Sequence, residues 1–239
     1  MTVNEYISQN LKDVNRRISE ACARAGRRRE DVTLIAVSKM NPAEAVAAAA
    51  ECGQYIFGEN RVQELRSKQE EAAGICTEDL EWHLIGHLQT NKVKDVVGKV
   101  RLIHSVDSVK LAEAIDKESA KQGIISDILL EMNVSGEESK FGITEEEIFN
   151  IIDRIVVLKH IKINGLMTVA PYTEEPETNR IYFKKMKDFS VDISSKNIDN
   201  ISMNILSMGM TGDFEIAIEE GATHIRVGTG IFGARDYTI

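Results

Sequence analysis

Lys39 and the segment Gly228-Thr-Gly230 are the parts of this chain whose residue types most directly indicate chemistry. Lys39 follows the apolar run Leu34-Ile-Ala-Val37, where loss of water around the amine would lower its pKa and expose the nucleophile that a Schiff base requires. Gly228-Thr-Gly230 follows a second apolar run, and its small residues let backbone amides approach phosphate oxygens. Together they predict a site for a carbonyl compound that carries a phosphate. The alternative interpretations are a solvated, inert side chain for Lys39 and an ordinary tight turn for Gly228-Thr-Gly230.

A second candidate for phosphate binding is Ser207-Met-Gly-Met-Thr-Gly-Asp213, which precedes a predicted helix at 214–220. The free N–H groups at the start of a helix attract anions. A tight turn with a helix cap is again the alternative interpretation. Because the two segments follow consecutive predicted strands, they favour a phosphate site at one end of a sheet.

Helix and strand patterns alternate along the chain and predict its architecture. Apolar residues at helical spacing predict an amphipathic helix over 4–25, and further helices are predicted at 42–52, with Pro42 in the first turn, and at 144–157, opened by Thr144-Glu-Glu-Glu147. Eight strands are predicted at 33–39, 55–58, 82–86, 102–106, 125–134, 161–169, 201–208 and 223–227.

This order of elements predicts a (β/α)8 TIM barrel with an extra N-terminal helix. The strands are mostly continuous apolar runs, as expected for a parallel sheet covered by helices. A doubly wound open sheet is the alternative. No Gly/Ser-rich linker interrupts the alternation, so we expect a single domain over residues 1–239. In a barrel the carboxyl ends of the strands converge, which would bring Lys39 and both phosphate candidates together.

Composition narrows the possible partners. The chain is 43% hydrophobic and 28% charged with a net charge of -9, which argues against nonspecific binding to nucleic acid or anionic membranes. The basic segment Arg24-Ala-Gly-Arg-Arg-Arg29, near Arg16 and Arg17, is interpreted as a solvated helix end, with an anion or RNA contact as the alternative. Three cysteines without CxxC spacing, no signal pattern and no apolar run of membrane-span length predict a soluble cytoplasmic protein.

His83 and His87 are the candidates for a metal site. Four residues apart on a strand, they would share one face. No cysteine or third histidine joins them at ligand spacing, so packing or hydrogen bonding is favoured over metal binding.

Seven segments resemble the pyridoxal phosphate homeostasis proteins, which are single-domain relatives of the alanine racemase N-terminal barrel. The resemblance extends over residues 33–235. The segments are Ala36-Val-Ser-Lys39, Phe57-Gly-Glu-Asn-Arg-Val-Gln-Glu64, Trp82-His-Leu-Ile-Gly-His-Leu-Gln-Thr-Asn-Lys92, His104-Ser-Val-Asp107, Gly165-Leu-Met-Thr-Val-Ala-Pro171, Ser207-Met-Gly-Met-Thr-Gly-Asp213 and Arg226-Val-Gly-Thr-Gly-Ile-Phe-Gly233.

The resemblance implies that the chain binds pyridoxal 5'-phosphate (PLP), a form of vitamin B6, and that Lys39 forms an internal aldimine with it. Ser207, Gly228 and Thr229 match phosphate-binding positions, and Arg226 matches the arginine that faces the pyridine nitrogen. Asn60 and Met167 match residues that line the cofactor. The implied cofactor-binding residues are therefore Lys39, Asn60, Met167, Ser207, Arg226, Gly228 and Thr229.

The arginine at position 226 indicates whether such a site would support catalysis. A guanidinium stays protonated and accepts no proton, so the ring nitrogen beside it remains unprotonated and the ring is a weak electron sink. The related racemases take a second acid/base, a tyrosine, from an added domain that this chain lacks, so we expect no catalytic residue. The resemblance implies a PLP-holding protein that supplies or buffers the cofactor, with PLP-dependent apoenzymes as candidate partners. Nothing in the sequence suggests an obligate interface, so we expect a monomer. A weak racemase and a protein- or RNA-binding scaffold are the alternatives.

Overall fold

Eight parallel strands form a closed barrel in the part of the chain that the computed structural model describes, residues 2–137 and 140–233. The strands are β1 (Thr33–Val37), β2 (Ile56–Glu59), β3 (Glu81–Leu84), β4 (Leu102–Val106), β5 (Ser126–Glu131), β6 (Ile161–Met167), β7 (Ile201–Met210) and β8 (His224–Val227). They pair in chain order, and β8 closes the sheet on β1 with Ile35 opposite Arg226. The predicted (β/α)8 barrel is confirmed and the open sheet is excluded.

Helices surround this barrel and lie between the strands along the chain. They are α1 (Val3–Arg24), α2 (Ala43–Glu51), α3 (Val62–Ala73), α4 (Val109–Gln122), α5 (Ile148–Ile155), α6 (Arg180–Ser195), α7 (Phe214–Glu219) and α8 (Thr229–Phe232). A 3₁₀ helix, Thr90–Asp95, takes the place of an α-helix between β3 and β4. The expected single domain over 1–239 includes residues 1, 138–139 and 234–239, which lie outside the described residues.

The N-terminal helix α1 confirms the prediction made from its apolar spacing. Its first turn is closed by a capping box, in which the Thr2 hydroxyl accepts from the Glu5 amide and the Glu5 carboxylate accepts from the Thr2 amide. Ile7, Leu11, Val14 and Ile18 are buried on its inner face. This face packs against α2, α7 and α8, so α1 covers the outside of the barrel where β8 meets β1.

The basic segment 24–29 contacts the chain's own surface rather than forming a purely solvated end. The Arg24 side chain pairs with Glu219 at 2.7 Å, and the Arg27 guanidinium donates to the Ala222 carbonyl at 2.7 Å. These contacts join the end of α1 to the last residue of α7 and to the segment that follows it. The interpretation as a solvated helix end is therefore corrected for Arg27, while the Arg24 and Arg28 side chains are 51% and 80% exposed.

Several predicted boundaries were wrong where a local turn ends the regular element. The helix predicted at 144–157 begins at Ile148, because the Thr144 hydroxyl donates to Glu147 at 2.9 Å and forms a separate turn. Pro42 caps α2 from outside instead of lying in its first turn. Strand β1 ends at Val37, two residues before Lys39, and the positive φ of Met40 (63°) turns the chain away from the sheet.

The barrel interior has an apolar part and a polar part. Alternate strand residues point inward, and four of them, Leu102, Leu129, Met167 and Ile205, form an apolar cluster. Buried polar side chains lie beside it, namely His83, His104, Ser207 and Arg226. A larger apolar core lies between the outer face of the sheet and the helices. Among the described residues, none of the helices combines the length and hydrophobicity that a bilayer crossing requires.

Gly165 on β6 is expected to be essential for closing the barrel. The register with β7 shifts between Ile163 and Gly165, and a Cβ on Gly165 would lie 1.8 Å from the Ile205 carbonyl oxygen. Gly165→Ala should therefore lower the free energy of unfolding by roughly 3 kcal/mol or more, measured by urea denaturation. The control is Gly123→Ala after α4, where a Cβ meets no heavy atom within 4 Å and the positive φ alone should cost about 1 to 2 kcal/mol. Equal losses in the two variants would contradict this account.

Candidate functional site

A cavity of about 680 Å³ opens at the carboxyl ends of the strands, where a barrel carries its binding loops. Five of the seven predicted cofactor-binding residues line it, namely Lys39, Asn60, Arg226, Gly228 and Thr229. The segment Met210–Asp213 forms part of the same wall. The fold thus brings the lysine and both phosphate candidates together, as the order of strands predicted.

Met167 and Ser207 lie deeper in the barrel. Both are fully buried, and they are opposite each other in the register of β6 and β7. Strand β7 continues to Met210, two residues beyond its predicted end, so Ser207 lies within the strand rather than in the loop after it. Its hydroxyl accepts from the Arg226 guanidinium at 2.6 Å. The direct part of Ser207 and Met167 in cofactor binding stays a prediction.

The turn that carries Lys39 is held from behind by a buried ion cluster. Lys68 on α3 donates from Nζ to the Ser38 carbonyl at 2.7 Å and to Glu59 Oε1 at 2.6 Å. Glu64 also accepts from Lys68, at 3.0 Å, and from the Met40 amide. The backbone on both sides of Lys39 is therefore fixed by the same three charged side chains. Burial raises the pKa of Glu59, and the Lys68 ammonium opposes that effect.

Sequence reasoning missed this cluster. Lys68 occupies the helix α3, where a lysine ordinarily extends into water, and its side chain is only 5% exposed. A signal was present in the spacing of Glu64 and Lys68, which puts an acid and a base on one helical face. Nothing in that spacing indicates Glu59, which comes from the preceding strand.

Arg226 reaches the cavity from β8 and is anchored by two hydrogen bonds. It donates to the Ser207 hydroxyl at 2.6 Å and to the Thr168 carbonyl at 2.8 Å. Burial lowers the pKa of Arg226 to about 10, while the carboxylates of Glu131 and Asp213 act in the opposite direction. The guanidinium therefore keeps its charge at neutral pH, as the sequence argument required.

The phosphate candidates after β7 and β8 meet at Thr211. Its hydroxyl lies 3.3 Å from the Gly228 amide nitrogen and 3.4 Å from that of Gly230, and it accepts from both. A Cβ on Gly230 would lie 2.9 Å from Val227 and 3.1 Å from Thr211, so the turn depends on glycine there. Thr211 was within a segment singled out from the sequence but was not itself predicted. The corner contains two backbone amides and a hydroxyl, the kinds of group that bind an anion in a nest, and in this structure both amides donate to Thr211.

Asn60 presents an unsatisfied acceptor in this part of the fold. Its Oδ1 is buried and accepts no hydrogen bond from the described residues. Its backbone is fixed by Gly86, where a Cβ would lie 2.4 Å from the Asn60 carbonyl oxygen. Because buried acceptors are nearly always satisfied in folded proteins, an ordered water or a bound molecule with a donor group would complete this one.

The two histidines considered for metal binding lie in different environments. His83 is buried on β3, whereas His87 lies beyond the end of that strand, 3.3 Å from Asp107 and stacked on Phe141 at 4.0 Å between ring centroids. The expectation of one shared strand face was wrong because β3 ends at Leu84. Within residues 2–137 and 140–233, no group of three His, Cys, Asp or Glu side chains could hold a metal ion.

Glu131, at the end of β5, is a buried carboxyl group close to Arg226 that sequence reasoning did not single out. Its exposed fraction is 8%. Burial raises its pKa to about 7, the nearby Asp107 carboxylate adds to the rise, and Arg226 opposes it. The group is therefore protonated below neutral pH and titrates within the physiological range.

The family model of the alanine racemase N-terminal domain matches residues 9–236 of this chain. The chain is 45% identical over 229 residues to the pyridoxal phosphate homeostasis protein of Aquifex aeolicus (strain VF5), covering 96% of this chain and 98% of that protein. It is 36% identical to the Escherichia coli (strain K12) protein of the same name, with 97% and 98% covered. The chain belongs to the pyridoxal phosphate homeostasis protein family.

Solved structures agree with this assignment. PipY of Synechococcus elongatus PCC7942, a structure with PLP bound, is 34% identical with a TM-score of 0.83, covering 95% of this chain and all of PipY (100%). An unknown protein from Bifidobacterium adolescentis is 37% identical with a TM-score of 0.89, covering 96% of this chain and 95% of that one. Alanine racemase from Corynebacterium glutamicum, at 15% identity and a TM-score of 0.71, covers 97% of this chain and 61% of its own, and shares the fold.

We predict that Lys68→Met destabilises the protein far more than loss of a surface cation on the same helix. Removing one partner of a buried pair leaves Glu59 charged and uncompensated, at a cost of about 3 to 5 kcal/mol. The control is Arg66→Met, which removes the pair with Asp95 from a side chain that is 47% exposed and should cost no more than about 1 kcal/mol. Urea denaturation measures both. Similar losses would mean that the buried cluster adds nothing to stability.

Glu131→Gln should stabilise the protein in a pH-dependent manner. Because its folded-state pKa is raised from 4.5 to about 7, the stability that Glu131 contributes is present below about pH 4.5 and is lost as pH rises to about 7. Glutamine has no such loss, so relative to wild type the variant should gain on the order of 3 kcal/mol between pH 4.5 and pH 8.

Chemical denaturation across this pH range measures the gain. Glu113→Gln, on the exposed face of α4, is the control for loss of one carboxylate. A stability difference for Glu131→Gln that is constant from pH 4.5 to pH 8 would contradict the assignment.

Proposed function

We propose that this protein binds PLP in the carboxyl-end cavity, holds it through a Schiff base on Lys39, and takes part in intracellular PLP homeostasis without a committed catalytic activity. The observation that carries the proposal is the meeting of Lys39, Arg226 and the Gly228–Gly230 turn around one cavity. The PLP-bound structure of PipY and the names of the relatives support the choice of cofactor.

The residues present fit the chemical parts of PLP. The amides of Gly228 and Gly230 and the hydroxyl of Thr211 suit a phosphate, because all are hydrogen-bonding groups at one corner. Arg226 lies in the barrel interior and suits an acceptor such as a ring nitrogen. PLP supplies an aldehyde, and Lys39 supplies the amine that would form a reversible bond with it.

Arg226 supports a holding function rather than catalysis. With a pKa of about 10 it carries its proton at neutral pH and donates to whatever acceptor it meets. A ring nitrogen beside it would keep its lone pair, which disfavours the carbanion chemistry of committed PLP enzymes. We propose a single-domain monomer in the cytoplasm that supplies PLP to apoenzymes.

A weak amino-acid racemase is the second candidate, and Tyr172 is the observation that favours it. Racemisation needs an acid/base opposite the lysine, and Tyr172 lines the cavity. The residue is 93% exposed, however, and among the described residues none holds its hydroxyl at a reaction centre. Slow racemisation that disappears in both Lys39→Ala and Tyr172→Phe would support this candidate.

We expect the purified protein to gain an absorbance band near the visible edge when PLP is added, and borohydride to fix PLP on a peptide that contains Lys39. Lys39→Ala should give neither result, because it lacks the amine that bonds to the aldehyde. Lys110→Ala, on the exposed surface of α4, is the control and should behave as wild type. Labelling of another lysine instead, or no band in wild type, would contradict the proposal.

A further inference from the structure

A continuous chain of hydrogen bonds crosses the interior of the barrel. Glu81 Oε1 lies 2.8 Å from His83 Nε2, and His83 Nδ1 lies 2.8 Å from His104 Nε2. His104 Nδ1 lies 2.9 Å from Ser207 Oγ, which accepts from Arg226 at 2.6 Å. Glu81 and His83 lie on β3, His104 on β4, Ser207 on β7 and Arg226 on β8. Closure of the barrel therefore brings together the members of this hydrogen-bonded chain.

The hydrogen-bonded chain connects two surfaces of the barrel through its buried interior. His83, His104 and Ser207 are at most 1% exposed. Glu81 begins β3 at the amino end of the barrel, and its side chain is 41% exposed. Arg226, at the other end, lines the cavity. Solvent at the bottom of the barrel is therefore linked by four hydrogen bonds to the site at its mouth.

The available protons allow one direction for these bonds when both histidines are neutral and Glu81 is ionised. Arg226 only donates, and an ionised Glu81 only accepts. His83 must then donate from Nε2 and accept at Nδ1, so His104 donates from Nε2 and accepts the Ser207 proton at Nδ1. The reverse direction requires a doubly protonated His83 or a protonated Glu81.

The surroundings favour a neutral His104 and an ionised Glu81. Burial lowers the pKa of His104 well below its usual value, and the charge of Arg226 lowers it further. The hydrogen bond from His83 lowers the pKa of Glu81, burial opposes that effect, and Arg101 adds to it. A cation and an anion thus lie at opposite ends, where the bonds between them polarise one another in the same sense.

We propose that Glu81, His83, His104 and Ser207 form a one-way hydrogen-bonded chain that positions the Arg226 guanidinium in the cavity, with Ser207 and His104 as its main positioning residues. The Ser207 and Thr168 bonds hold two nitrogens of one planar group, so they set the plane in which Arg226 meets a ligand. This inference rests on the proposed function where it names PLP as the ligand. The hydrogen-bonded chain itself is present in the ligand-free structure.

Histidine tautomers in the ligand-free protein test the direction of the chain. The five histidines make long-range ¹H–¹⁵N NMR tractable, with assignment by single substitution of His87, His160 and His224. We expect His104 to be neutral at pH 7.5 and protonated at Nε2, and His83 to carry a proton at Nε2, where it faces Glu81. A His104 protonated at Nδ1, or charged, would overturn the proposal.

Substitution of the exposed end tests the coupling with little risk to folding. Glu81→Gln keeps an oxygen that accepts from His83, whereas Glu81→Leu removes it. We expect the ¹⁵N shifts of both His83 and His104 to change in the leucine variant and to stay close to wild type in the glutamine variant. Unchanged shifts in Glu81→Leu would show that Glu81 is not part of the chain.

The effect on Arg226 is measured with PLP as the probe, by its dissociation constant and by the absorbance of the bound form. His104→Leu and Ser207→Ala should each weaken binding about tenfold, the size expected for loss of a hydrogen bond that orients a charged group. His104→Asn restores an acceptor at the Nδ1 position without the link to His83, so it should recover most of the loss. Wild-type affinity in both His104→Leu and Ser207→Ala would overturn the positioning role.

The two proposals fail in different ways. If wild type binds no PLP, the proposed function is wrong, and the tautomers of the ligand-free protein still decide whether the chain exists as described. If wild type binds PLP and the variants match it, the function stands and the positioning chain is wrong.

Discussion

Burying the Arg226 guanidinium removes a positive charge from water inside the barrel, and the neighbouring strands compensate for it with oxygen atoms. Ser207 and the Thr168 carbonyl bond to it directly, and the carboxyl groups of Glu131 and Asp213 lie near enough to influence its pKa. One side of the interior must therefore be polar, while the other side can be filled by apolar side chains. Glu131 therefore lies close to the Arg226 charge, and its own burial raises its pKa while that charge lowers it.

Much of the fold and part of the site follow from local patterns in the sequence. Apolar runs identify strands, and because the carboxyl ends of parallel strands converge, Lys39 and the Gly228-Thr-Gly230 turn can be placed in one cavity without a structure. The interior chain could not be predicted in this way. His83 and His104 come from neighbouring strands but Ser207 lies across the barrel, and their contacts depend on the tilt and register that closure imposes. The burial of Lys68 could not be predicted either, because a lysine on a helix is ordinarily a surface residue.

Lys68 supports the turn that carries Lys39 from behind β1. Lys68 is surrounded by Glu59, Glu64 and the Ser38 carbonyl, so its ammonium is fully engaged behind the strand. This balance matters for Lys39, since an uncompensated cation behind the same turn would disturb the charge of its amine. The cluster thus fixes the backbone beside Lys39 while adding little net positive charge to the cavity.

The candidate phosphate site at Thr211, Gly228 and Gly230 suits a protein that must release what it binds. Its identified donors, the amides of Gly228 and Gly230, are neutral and belong to a turn, and the Thr211 hydroxyl already accepts from both. Neutral donors give weaker hydrogen bonds than charged ones, and two nitrogens of Arg226 already donate to Ser207 and Thr168. If the ligand is held as proposed, its contacts with this corner and its reversible bond to Lys39 can each be undone without moving a buried charge. An enzyme gains from a cofactor that never leaves, whereas the proposed supply of PLP needs this reversibility.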